Sequence, residues 1–191
     1  MVDASDSSFD SSRYLETRHG GLSPTDPFAA PVEERRGDRR FRGRLVAPVT
    51  VWTAGADGRH AGLTVSSLLI AEGDPAVVIG LLDPLSDLFN LVIERGAFVV
   101  HVLETGDQQI AGMFAGAYPV DPFEQVETED GDFGPVIRGP RHSLGCHLVA
   151  SEEVGFQMLV RGQVHALKIE DQAGLPLVRY RGRYRKLSIE P

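Results

Sequence analysis

Residues 59–83, RHAGLTVSSLLIAEGDPAVVIGLLD, decide how this chain is read. Gly62 precedes a small polar cluster, Thr64, Val65, Ser66 and Ser67, which leads into an apolar run over 68–71. The turn Glu72-Gly73-Asp74-Pro75 separates that run from a second one over 76–82. Two short apolar runs flanking a Gly/Asp/Pro turn predict two tightly joined strands. The hydroxyls of Thr64, Ser66 and Ser67 stand at a strand mouth. Hydroxyls and free backbone N–H groups there can converge on one ligand, a phosphate or the polar edge of a ring system. The same side chains would equally serve as the solvent face of a strand. Spacing alone leaves both readings open.

Upstream, 45–54 (LVAPVTVWTA) reads as a strand interrupted by Pro48, and Gly55-Ala56-Asp57-Gly58 as a hairpin turn. Downstream, Leu88, Leu91, Val92 and Arg95 recur at helical spacing. Ser86 or Asp87 is the N-cap of that helix and Gly96 its stop. Residues 97–103, AFVVHVL, form an apolar strand carrying His101, and a lone His in such a strand is ordinarily a satisfied core residue. A second short helix spans 107–116, packed through Ile110, Met113 and Phe114. The acidic stretch 117–134 reads as an exposed loop opening with a helical turn. More strand follows at 135–137 and 143–150, then two strands over 156–169 and 175–187 with a turn at 170–174. In the last, Arg179, Arg181, Arg183 and Arg185 alternate with Val178, Tyr180 and Tyr184, which predicts one basic side. The expected fold is mainly β with short helices, a small barrel whose ends the helices cover. Residues 1–40 are expected to form a poorly ordered or partner-docking arm, and 41–191 one domain.

With 191 residues, 42% hydrophobic and 24% charged, the chain is of ordinary globular composition and long enough for a sizeable core. A net charge of −8 argues against nonspecific binding to nucleic acid or to an anionic membrane. No apolar run approaches the roughly 18–20 residues of a spanning helix, and the N-terminus MVDASDSS lacks a signal-peptide pattern. One cysteine, Cys146, leaves no intrachain disulfide and fits a cytoplasmic protein. Arg35, Arg36, Arg39, Arg40, Arg42 and Arg44 crowd together. They read either as a solvated segment pairing with the acidic arm or as a phosphate-binding patch. No metal site is expected. The carboxylates of 117–134 match no calcium loop, and Cys146 and His147 point to opposite faces of a strand. Neither a Gly-rich phosphate loop nor a serine elbow is present. Residue by residue, the chain specifies a β-barrel with a polar strand mouth and several arginines, but no activity.

The ordered series of short motifs adds more. Val49-Thr50-Val51-Trp52-Thr53-Ala54 and Asp57-Gly58 come first, then Gly62-Leu63-Thr64-Val65-Ser66-Ser67, Asp74-Pro75 and Leu82-Asp83. Gly96-Ala97-Phe98-Val99-Val100-His101-Val102-Leu103, Phe114-Ala115-Gly116, Gly162-Gln163-Val164 and Gly182-Arg183-Tyr184 follow. Over roughly 41–187 this series resembles the flavin reductase-like family, whose fold is the FMN-binding split β-barrel.

The resemblance implies that Thr64, Val65, Ser66 and Ser67 bind the flavin through hydroxyls and backbone N–H groups. It implies that Asp83 and Ser86 lie at the ribityl and phosphate end, and that His101 lies along the isoalloxazine ring. It further implies FMN, or FAD, reduced by NADH or NADPH, a homodimer with flavin near the interface, and in some members a partner oxygenase. Hydride transfer is cofactor-borne, so no catalytic acid/base pair is required. Three positions depart from the family pattern. His101 replaces an asparagine, Leu88 a threonine, and Gly155-Phe156-Gln157 a Gly-Asp-His signature close to the nicotinamide. The donor site is therefore atypical, and a different electron donor or a non-catalytic flavin-binding role are the alternatives.

Overall fold

The structure is a computed structural model that describes residues 37–172 and 174–187. The N-terminal arm expected over 1–40 lies outside them up to residue 36, as do Arg35 and Arg36. Helix α1 (Gly37–Arg42) opens the described chain and carries Arg39, Arg40 and Arg42. Strands β1 (Ala47–Pro48), β2 (Thr50–Ala56), β3 (Arg59–Val65), β4 (Leu69–Ala71) and β5 (Val77–Leu82) follow. Then come α2 (Asp87–Arg95), β6 (Ala97–Val102), α3 (Gln108–Phe114) and α4 (Pro122–Gln125). Six further strands complete the order: β7 (Thr128–Gly131), β8 (Gly134–Ile137), β9 (Ser143–Val154), β10 (Gln157–Lys168), β11 (Leu177–Tyr180) and β12 (Arg183–Lys186).

Seven strands form one antiparallel sheet in the order β3-β2-β6-β9-β10-β5-β4. The β2–β3 hairpin turns at Asp57-Gly58, both with positive φ, as the Asp-Gly signal requires. The sheet curls until the chain leaving β3 meets β5. There Ser67 Oγ donates to the Leu81 carbonyl and accepts from the Leu81 N–H, both at 3.0 Å. One side chain thus replaces a missing rung of ladder and brings the two edges of the barrel together.

Alternation along β2 divides the apolar residues into two cores. Trp52 and Ala54 point into the barrel with Phe98, Val100, Cys146 and Val160. Val49 and Val51 point outward and are covered by α3, Val126, Ile137 and Leu177. Inside the barrel Trp52 stacks on Phe98 with centroids 4.8 Å apart and planes at 7°. Both rings sit where a neighbouring strand has no side chain. A Cβ at Gly80 would lie 2.5 Å from the Trp52 ring, and one at Gly162 would overlap Phe98. Trp52 Nε1 donates to Thr50 Oγ1, which donates to the Val65 carbonyl at 2.7 Å, so this buried polar chain is satisfied.

Two sequence expectations need correction. The single strand expected over 175–187 is a hairpin, β11–β12, turning at Arg181-Gly182 with φ 52° and 75°. Arg183 and Arg185 therefore do not continue one basic face from Arg179. Arg179 pairs with Tyr184 and Arg183 with Tyr180, so the arginines fall on both faces. The acidic stretch 117–134 is not irregular throughout, because its end forms the β7–β8 hairpin. Its charges face solvent while Gly134 and Ile137 pack inward. Gly134 approaches the β2 backbone so closely that a Cβ would lie 3.2 Å from the Ala54 Cα.

Candidate flavin site

The polar mouth forms where β3 ends. Thr64 and Val65 are its last two strand residues, and 66–68 lie in no strand or helix before β4 begins. The two serines divide the work. Ser67 is locked on both sides by Leu81, which fixes the loop. Ser66 Oγ is buried and has no hydrogen-bond partner among the described residues. Buried hydroxyls are nearly always paired, so an orphan beside an immobilised neighbour marks a place where a polar ligand atom fits. The Thr64 hydroxyl donates to the Ala111 carbonyl of α3 at 2.8 Å, which leaves its oxygen lone pairs to accept. Val65 is buried in the barrel core, and its backbone carbonyl is held by the Thr50 hydroxyl.

Asp83 and Ser86 stand at the start of α2, immediately after β5. Ser86 is the N-cap: its Oγ accepts from the Phe89 N–H at 3.2 Å and donates to the Asp83 carbonyl at 2.7 Å. Asp83 Oδ1 accepts from the Leu85 N–H at 2.9 Å, so the turn into the helix is fixed from both ends. Gly96 closes α2 in the left-handed conformation, as expected of a helix stop.

His101 is placed differently. Its side chain is 0% exposed, on the outward face of β6 and not on an open wall. Register puts Thr64, Val51, His101 and Ser143 in one row across β3, β2, β6 and β9. Thr64 and His101 are thus about 10 Å apart, two strand spacings, with Val51 between them. His101 Nε2 lies 3.2 Å from Thr53 Oγ1 and 3.4 Å from the Pro135 carbonyl, while Nδ1 has no partner. The Thr53 hydroxyl itself donates to the Pro135 carbonyl at 2.6 Å. Burial lowers the His101 pKa to about 4, against the Pro135 hydrogen bond, which raises it, and the Arg141 charge lowers it further. The imidazole is therefore neutral at pH 7. Its role here is to tie β2, β6 and β8 together behind the mouth.

The structure thus brings Thr64, Val65, Ser66 and Ser67 into one segment braced by β5 and α3, with Asp83 and Ser86 following β5. His101 lies on the same face of the sheet as Thr64, two strands away and fully covered. Sequence reading missed the bracing residues Leu81, Ala111 and Thr53. Gly80 and Gly162, lone glycines within strands, are the signals that large rings are seated nearby. Cys146 is buried in the barrel, where desolvation raises its thiol pKa to about 12, so it offers no nucleophile. No cluster of three metal-ligating side chains occurs among the described residues.

Residues 42–188 match the flavin reductase like domain, and the chain belongs to that family. The NADH-dependent FMN reductase AsuE2 of Streptomyces nodosus subsp. asukaensis is 30% identical over 180 residues, covering 92% of this chain and 97% of that protein. Among solved structures, the NADH:FAD oxidoreductase SgcE6 of Streptomyces globisporus C-1027 superposes with a TM-score of 0.74 at 25% identity, over 88% of this chain and 99% of its own. Nitrilotriacetate monooxygenase component B from Mycobacterium thermoresistibile gives 0.73 at 26% identity, over 79% of this chain and 85% of its own.

Proposed function

We propose that the protein is a flavin reductase that takes hydride from NADH and passes it to FMN, with FAD as a second flavin it accepts. Family membership and the NADH-dependent relatives support the reaction. The observation that carries the site is the orphaned Ser66 hydroxyl beside the doubly bonded Ser67. The flavin, when bound, supplies the hydride-accepting ring; the chain binds it, orients it and excludes water.

Ser66 donates to a polar edge of the flavin, and the backbone N–H groups of 66–67 add further donors. Thr64, whose proton is committed to Ala111, accepts from a flavin N–H. Val65 shapes the wall. Asp83 and Ser86 meet the ribityl chain. Two carboxylates, Asp83 and Asp87, crowd this helix start, so ribityl hydroxyls suit it better than a phosphate dianion does. His101 acts as a positioning residue beneath the mouth and does not line the ring.

The protein works as a homodimer in this reading. Leu69 and Ile70 of β4 are 68% and 54% exposed on the sheet edge that adjoins the mouth, and a second copy would cover them. One relative is a monooxygenase component, which supports an oxygenase as consumer of the reduced flavin. A cytoplasmic location is consistent with the single, reduced cysteine. Among the described residues no helix is long and apolar enough to cross a membrane. The test is anaerobic stopped flow. FMN absorbance should bleach with NADH far faster with protein than without. Flavin that binds but is bleached by neither NADH nor NADPH would leave a binding protein and overturn the reductase.

A further inference from the structure

A cavity of about 440 Å³ opens between α3, the α4–β7 connection, β8 and the loop into β9. Its volume falls within the range of small-molecule sites. Its floor is aliphatic: Ile110 and Met113 from α3, Val126, and Ile137 from β8. Met113, Val126 and Ile137 are also members of the outer core, so this floor is rigid and already desolvated.

The wall carries charge. Arg138 is 59% exposed, whereas the Arg141 side chain is only 12% exposed. Arg141 Nη1 donates to Asp107 Oδ2 at 2.7 Å, and the same oxygen accepts from the Glu104 N–H at 2.9 Å. The carboxylate is therefore shared, and it answers one edge of the guanidinium. Arg141 Nε is buried without a partner. A guanidinium with an unanswered N–H, at the polar wall of a cavity whose floor is aliphatic, selects an acceptor that bears negative charge. Glu127 also lines the cavity and limits that charge. Arg138 also lies 3.7 Å from Glu129 and Arg141 is paired with Asp107, so the wall has no charge to spare for a phosphate dianion, and what it offers an anion is the unanswered Arg141 N–H.

We propose that this cavity binds a monocarboxylic acid with a one- or two-ring apolar body, its carboxylate on the Arg138–Arg141 wall. None of Thr64, Val65, Ser66 and Ser67 lines it, and the proposal does not depend on the reductase reading. The cavity nonetheless touches the same framework. Ala111, between Ile110 and Met113 on α3, accepts the Thr64 hydroxyl, and Pro135 of β8 accepts that of Thr53. An occupant bridging α3 and β8 therefore stiffens the outer side of the strands that end at the mouth.

The probes are 1-naphthoate, its neutral amide 1-naphthamide, and inorganic phosphate, titrated calorimetrically into the full-length protein. Naphthoate is expected to bind one per chain, at least tenfold more tightly than naphthamide, with no heat from phosphate. Arg138→Gln should weaken naphthoate about 3- to 10-fold, as loss of one charge-assisted contact does. Arg141→Gln should weaken it more, but this variant also strips Asp107 of its partner. Gln125→Trp, at an exposed position on the cavity rim, is therefore the second test and should block binding while the melting temperature holds. Equal binding of acid and amide, or binding unchanged in both Arg138→Gln and Gln125→Trp, overturns the proposal. So does displacement of naphthoate by FMN, which would make the cavity part of the flavin site.

Discussion

Replacing the two adjacent serines by alanine, one at a time, separates structure from binding at the mouth. Ser67 makes two hydrogen bonds with Leu81 at 3.0 Å, one in each direction. Ser67→Ala removes both and strands a partly buried N–H and C=O. Each neutral bond contributes about 0.5–1.5 kcal/mol, and water reaches part of this site, so a loss of about 1–2 kcal/mol is expected. For a chain of this size that lowers Tm by roughly 2–8 °C. Ser66 Oγ has no partner to lose, so Ser66→Ala should leave Tm within about 1 °C. It does lose its bond to the flavin, and FMN affinity should fall about 2- to 12-fold. Ser67→Ala should weaken FMN as well, because the loop that presents Ser66 is no longer pinned. Thermal unfolding monitored by circular dichroism gives the first quantity, and quenching of flavin fluorescence the second. If Ser66→Ala binds FMN as wild type does, the orphan hydroxyl is not the flavin's partner and the assignment of the mouth fails. If Ser66→Ala destabilises as much as Ser67→Ala, the division of labour between the two serines is wrong.

Other perturbations test the frame behind the mouth. Gly162→Ala drives a methyl into the Phe98 ring with Cys146 Cβ only 3.2 Å away, and should cost about 1–3 kcal/mol in urea unfolding; full stability would mean the barrel is looser than its ring stack implies. His101 carries a pH dependence. Its folded pKa of about 4 lies below the unfolded value of 6.5, so its contribution is present above pH 6.5, lost as pH falls, and exhausted below about 4. Wild type should lose about 2 kcal/mol between pH 7 and pH 5 from this group alone, and His101→Asn should flatten that slope; parallel profiles would exclude His101 as the source. The Cys146 thiol, pushed up to about 12 by burial, should resist a disulfide reagent in the native state and react promptly in denaturant. Sedimentation at increasing ionic strength should show a dimer that Leu69→Lys dissociates, whereas a monomeric wild type would remove the second subunit from the proposed function.

What the sequence shows well is what depends on neighbours in the chain. Asp57-Gly58 sets the β2–β3 turn, Ser86 caps α2 and Gly96 ends it, each through a local hydrogen bond or a backbone angle. What it hides depends on contacts at long range. Arg181-Gly182 reads as strand because alternation runs through it, and only the pairing of Val178 with Arg185 shows the turn. The β7–β8 hairpin is masked by its acidity, since the residues that hold it down are a glycine against β2 and the buried Ile137. The separate fates of Ser66 and Ser67 are invisible in a Ser-Ser pair, because Leu81, which distinguishes them, lies fourteen residues away.

His101 shows how burial and partners add to what a motif says of a residue. The strand motif puts it among candidates for the ring, yet β alternation turns it to the covered face, opposite Phe98 and Val100. There its lone contact pair, Thr53 and the Pro135 carbonyl, comes from two other strands. A neutral imidazole in that position sets the distance between β2 and β8 without presenting charge to the flavin. Asparagine, shorter and never cationic, could make the same two contacts only if β8 moved inward. The histidine's first effect is therefore on the bracing of β8 against β2 and β6.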